Sequence, residues 1–284
     1  MVTSDMKWTI SGGLIFFNEI SNYLEYMRRL LKSDSHVVDS VHDCPPGLIW
    51  QGGRYIPWGK LTLDHYISFV KIYNHKGIGV FYTFSNTCLK PEHLEDEMCN
   101  YFLKKTENPM NGVILASDIL RDYVRSQYPK FSIKASIANM STDYQSLLSL
   151  YDTVVVQPDD NRNYDLLSTL DTSRLEVLVN EACVQNCSYK REHFDYFSRN
   201  VLERRVLWKH LEDLNTCYAE NAGDIRCGEL VLSIDEVRKL YDIGIRRFKI
   251  AGRDTSADYM TSQMKYYIRD PLVRYMKHGV FYGK

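Results

Sequence analysis

Residues 112–135 read GVILASDILRDYVRSQYPKFSIKA. The stretch falls into three parts. Gly112 to Leu115 is short, apolar and β-branched, the pattern of a buried strand. Asp118 stands where an N-cap would stand, ahead of a helix-like stretch from Ile119 to Tyr128. Ser132 to Ala135 starts a second strand-like run. This is one strand–helix–strand unit, and the rest of the chain repeats its rhythm.

Further strands are predicted at Gly13 to Phe17, Val37 to Val41 and Gly79 to Phe84 on one side of this unit. On the other side they fall at Thr153 to Val156, Leu175 to Val179 and Arg247 to Ile250. Helical patterns lie between them. Glu19 to Leu31 puts Ile20, Tyr23, Leu24, Met27, Leu30 and Leu31 on one face. Ile234 to Tyr241 follows Ser233, with Glu236 three residues on, a capping-box pattern. Eight strand–helix repeats predict an α/β fold, a (β/α)8 TIM-like barrel, with an open doubly wound sheet as the competitor. One segment breaks the rhythm. From about 183 to 232 the spacing predicts an insertion after strand 7, holding a helix near Arg191 to Leu214. We read residues 1–284 as one barrel domain carrying that insertion.

Composition narrows the function classes. Hydrophobic residues make up 44% and charged residues 25%, enough to build a large core. The 35 basic residues nearly balance 36 acidic ones, which argues against a general nucleic-acid coat protein but leaves room for a local RNA site. No apolar run approaches the ~18 residues of a membrane span. Met1 to Ile10 has no apolar signal core, so the expected location is cytoplasmic. Seven cysteines, an odd number, read poorly as a disulfide framework.

Barrel enzymes place their chemistry at the carboxyl ends of the strands. The residues there include Asp43, Asn86, Asp118, Gln157, Glu181 and Arg253. Among them Arg253, Glu181 and Asp43 are the candidate catalytic groups, with the Arg253 guanidinium suited to grip an anion. The segment from Val179 to Cys187 ends a strand and then places two cysteines with three residues between them. Thiolates favour iron–sulfur clusters or zinc. Cys217 and Cys227 lie in the same insertion, so Cys183, Cys187, Cys217 and Cys227 form the expected metal set. His193 is a substitute ligand, and Cys44 could reach the same face; Cys88 and Cys99 read as core thiols. Lys190 stands where a radical-SAM loop would need its third cysteine. The sequence has no H-E-x-x-H or G-x-S-x-G, which weighs against a protease on chemical grounds.

The last third carries a specific likeness. Leu232 to Val237, Leu240 to Ile245, Phe248 to Arg253 and Ser256 to Tyr259, with Leu178 to Cys183 before them, resemble the peptidase U32 family over roughly residues 175–270. Ala251 stands where that family usually has glutamate, and Asp258 where it has another. The resemblance implies a barrel and, in several members, a four-iron four-sulfur cluster on four cysteines. Cys183 matches the first of these and Cys227 the last; the family's spacing and Cys-x2-Cys-Arg context for the middle pair are absent at Cys187 and Cys217. The long carboxyl extension of many members is also missing.

These readings together give three expectations. The first is a [4Fe-4S]-dependent enzyme, a hydroxylase or oxidoreductase, modifying an RNA base or a small aromatic substrate, with zinc as the alternative metal. The second is a U32-type peptidase. The third is a binding or assembly protein with a structural metal and a heteromeric protein partner.

Overall fold

The computed structural model describes residues 5–31, 38–52, 61–203, 228–252 and 255–269. Its strands are β1 (Lys7–Ser11), β2 (Val38–Asp43), β3 (Gly79–Phe84), β4 (Gly112–Leu115), β5 (Ser132–Ala135), β6 (Thr153–Val155), β7 (Leu175–Leu178) and β8 (Arg247–Ile250). They are parallel and ordered as in the chain. Closure is direct: β8 pairs with β1 in the register Trp8↔Phe248 and Ile10↔Ile250. That pairing excludes the open sheet. The helices are α1 (Phe17–Leu31), α2 (Leu63–His75), α3 (Glu97–Thr106), α4 (Asp118–Gln127), α5 (Tyr144–Leu150), α6 (Tyr164–Ser168), α7 (Lys190–Leu202), α8 (Ile234–Asp242) and α9 (Ala257–Met264). They alternate with the strands, except that α7 is an extra helix between β7 and α8. The chain is a (β/α)8 TIM-like barrel.

The stretch 112–135 forms β4, α4 and β5 as read. Only its cap differs. Ser117 is the N-cap, its hydroxyl accepting from the Leu120 N–H at 3.5 Å. Asp118 is the first helical residue and pairs with Arg121 at 2.6 Å. The capping box of α8 forms as expected, with Ser233 N donating to Glu236 Oε2 at 2.7 Å and Glu236 N to Ser233 Oγ at 3.2 Å.

The first strand is a correction. It runs over Lys7–Ser11, not Gly13 to Phe17. Trp8 and Ile10 supply the helix-facing side, and Thr9 faces the barrel interior. Gly12 then turns at φ 78°, and a Cβ on Gly13 would stand 2.5 Å from Val41 Cβ. The apolar run that follows is therefore the β1–α1 connection and the start of α1. Asn18 lies in that helix, away from the strand end.

Outside the strands the packing is apolar. Leu120 and Val124 of α4, and Val237 and Leu240 of α8, are buried against the barrel. Each such side chain contributes about 1.5–3 kcal/mol. Inside, one layer is polar. Odd-numbered strands supply Thr9, Phe81, Lys134 and Glu176, one each, which is the layering a barrel interior requires. Lys134 Nζ reaches Glu176 Oε1 at 2.5 Å and lies 3.9 Å from the Phe81 ring centre. The Thr9 hydroxyl donates to the same Oε1 at 2.8 Å. Lys134 and Glu176 are both almost fully buried.

Candidate functional site

The loops that leave the carboxyl ends of the strands are held by short polar links. Asp43, fully buried as the last residue of β2, takes three backbone N–H groups: Leu14 at 3.0 Å, Ile15 at 2.9 Å and Cys44 at 2.8 Å. Its carboxylate thus fixes the β1–α1 connection. Asn180, just past β7, exchanges two hydrogen bonds with Ala251, just past β8, at 3.0 and 2.7 Å. Glu181 is buried, and its Oε1 accepts from Cys183 N at 3.1 Å. Gln157 Nε2 ties the end of β6 to Ile137 O at 2.9 Å.

Across this face lies α7. Asn86 Nδ2 donates to Ile49 O at 3.0 Å and to Ser198 O at 3.2 Å, joining the loops after β2 and β3 to the helix. The Thr87 hydroxyl reaches Asp195 Oδ1 at 2.6 Å and Ser198 Oγ at 3.1 Å, and Thr87 N donates to Ser198 Oγ at 3.0 Å. Arg191 donates to Asn139 O, after β5, at 3.2 Å. Lys190, buried, pairs with Asp159, after β6, at 2.9 Å. Burial raises the Asp159 carboxyl, but the Asn186 N–H at 2.6 Å and the Lys190 charge outweigh it and hold the group below the usual carboxylate range. The extra helix is therefore stitched to loops after β3, β5 and β6. No pattern in the sequence marked Asn86, Thr87, Asp159 and Ser198 as partners, because their proximity exists only once the barrel closes.

Cys183 and Cys187 lie close enough to influence each other electrostatically. Burial, the Glu181 carboxylate and the Cys187 thiol push the Cys183 thiol up to about 12. Cys183 is thus a protonated thiol at neutral pH. Arg253, Cys217 and Cys227 lie outside the described residues, as does the predicted helix beyond Glu203. Cys44 and Cys99 are fully buried in the core. His193 stacks on Phe197 within α7, with ring centres 4.9 Å apart.

The metal expectation is corrected by this arrangement. Among the described residues no group of three or more His, Cys, Asp and Glu side chains is placed to hold a metal ion. Cys183 and Cys187 make a pair of thiols and recruit neither Cys44 nor His193, so neither a [4Fe-4S] cluster nor zinc is supported. Among the described residues no helix is long and apolar enough to cross a membrane.

A closed parallel barrel with its carboxyl-end loops bridged by an inserted helix defines the class. Comparison with solved structures narrows it. The chain matches the structure of the U32 peptidase Mk0906 with a TM-score of 0.53 and 16% identity, over 87% of this chain and 92% of that one. At that identity the likeness establishes the fold: the chain is a divergent U32-like barrel, in agreement with the resemblance at residues 175–270. No protein-family model and no curated protein matches it. The enzyme expectation is corrected as well. The likeness is to the fold of a peptidase, and among the described residues nothing found supports a hydroxylase or oxidoreductase. Nothing found bears on the RNA-base or aromatic substrates expected with the redox reading.

Proposed function

We propose that this chain is a U32-type barrel that works on a polypeptide segment at its carboxyl-end face. The observation that carries this reading is the shared fold with a U32 peptidase across 87% of the chain. In this reading the whole chain acts as one barrel domain. Glu181, buried at the root of the insertion, is the working carboxylate: it takes a proton from the attacking water and returns it to the leaving amine. Arg253 anchors a substrate carboxylate through its planar fork. Asp43 is a positioning residue, holding the β1–α1 connection through the backbone N–H groups of Leu14, Ile15 and Cys44.

The test is to incubate the purified full chain with denatured protein and to count new amino termini by mass spectrometry. Glu181→Gln should slow their appearance by roughly 100-fold or more with an unchanged melting temperature. No new termini with the native chain would end the peptidase reading. A second reading, peptide binding without cleavage, has one observation in its favour: Cys183, five residues past β7, is held protonated and is no activated nucleophile. Fluorescence anisotropy of labelled peptides separates the two. In that second reading the ligand is an extended segment of a heteromeric protein partner.

A further inference from the structure

We infer that α7 is a displaceable lid over the barrel mouth, closed in this structure, and that a polypeptide enters only when it lifts. The inference rests on the placement of the substrate site at the carboxyl-end face, and it adds how that site is opened.

Three observations carry it. First, the side chains that α7 buries are Lys190, Ser198 and Asn200, all polar. The barrel's own helices bury leucine, valine and tyrosine instead. Separating a polar interface exchanges its hydrogen bonds for bonds to water, so most of the loss is returned; separating an apolar one returns nothing. Elements held this way are the ones that open locally. Second, the polar groups at the strand ends are already covered. Asn86 and Asn180 are buried, as are Gln157 and Glu181. A ligand can reach them only after something moves, and α7 is the helix bonded to Asn86 and, through Lys190, to Asp159 in the loop that follows Gln157. Third, Gln51 Oε1 is buried without a hydrogen-bond partner among the described residues. It sits two residues from Ile49, whose carbonyl Asn86 ties to the lid. A buried acceptor left without a donor destabilises the closed, empty state. In this inference, a backbone N–H of the entering polypeptide supplies that donor.

Thr87 Oγ1 and Ser198 Oγ lie 3.1 Å apart, so thiols placed there can lock the lid. The variant is Thr87→Cys with Ser198→Cys, in a Cys88→Ser background to prevent mispairing. Oxidised glutathione closes the bond and dithiothreitol opens it. Labelled denatured protein is the probe, read by anisotropy. The oxidised form should bind roughly tenfold more weakly or worse, and reduction should restore binding, because apparent affinity scales with the open fraction. Equal binding in both redox forms would overturn the lid.

Hydrogen exchange on the native chain gives a readout that needs no ligand and no variant. Amides of residues 190–202 should exchange roughly 100-fold faster than those of α4. Exchange of α7 at the α4 rate would also overturn the lid. If exchange is fast but neither native nor reduced protein binds a peptide, the lid stands and the polypeptide reading is what has failed.

Discussion

Helices α4 and α7 flank the same barrel and are held to it by different chemistry. α4 runs ten residues, buries Leu120 and Val124, and is capped by Ser117. α7 runs thirteen residues and buries Lys190, Ser198 and Asn200, attached through Asn86, Thr87, Asn139 and Asp159. The longer helix has the weaker claim on the core. Apolar burial ties α4 to global stability, whereas α7 can part from the mouth while the barrel stays folded. The barrel wall and its interior are thus one cooperative body, and the mouth cover is a separate, lower-stability element.

The largest effect should come from inside the barrel. Glu176→Gln removes the charge that Lys134 faces in a site where both are buried. Loss of one partner from such a pair costs roughly 3–5 kcal/mol. The whole urea transition should move, with circular dichroism and Trp fluorescence shifting together. Burial raises the Glu176 carboxyl, but the Lys134 and Lys249 charges outweigh it and hold the group below its ordinary value. A depressed carboxylate contributes stability above its unfolded pKa of about 4.3 and loses it as pH falls through the lower folded value. The native chain should therefore lose stability in that acid window, and Glu176→Gln should lose less of it. A variant that unfolds only the 190–202 segment would break the division between body and cover.

Next comes the matched pair of helix substitutions. Leu120→Ala should cost roughly 2–5 kcal/mol of global stability. Thr87→Val with Ser198→Ala removes bonds worth about 1 kcal/mol each, and the loss should be local. In hydrogen exchange, the first speeds strand amides throughout the barrel and the second speeds only residues 190–202. Equal global destabilisation by both would show that α7 belongs to the core after all.

Legibility in the sequence follows the same division. Residues 112–135 announce their fold because burial on both faces makes β4 uniformly apolar and because helix periodicity and capping are local properties. β1 escaped because its interior face is polar: Thr9 belongs to the Lys134–Glu176 layer, so Lys7–Ser11 reads as a broken pattern beside the more apolar Leu14–Phe17. Lys134 and Glu176 are separated by 42 residues, and no spacing rule links them. The mouth was legible only as a set of strand-end residues. Which of them meet was set by tertiary closure, as with Thr87 and Asp195, 108 residues apart. The cysteines are the converse case: Cys183 and Cys187 are near neighbours in sequence, whereas extending the set to Cys217 and Cys227, which lie outside the described residues, needs a geometry that spacing does not contain.

The smallest effect concerns the root of the insertion, where Cys183 follows β7. Its thiol is pushed up to about 12 by burial, by the Glu181 carboxylate and by the Cys187 thiol, against about 8.5 in an unfolded chain. At neutral pH both states are protonated, so Cys183→Ser should change stability little there. For an acid whose folded pKa is raised, the unfolded state loses its proton first. The cost to stability therefore begins above about pH 8.5 and grows towards the folded value. Only the thiolate is alkylated. Iodoacetamide at pH 8 should therefore modify Cys183 in the folded chain roughly a thousandfold more slowly than in urea, as followed by mass spectrometry of the peptide containing it. A folded-state rate close to the urea rate would mean that the root of the insertion opens together with α7. The boundary between body and cover would then lie at Val179, immediately after β7, rather than at the start of the helix.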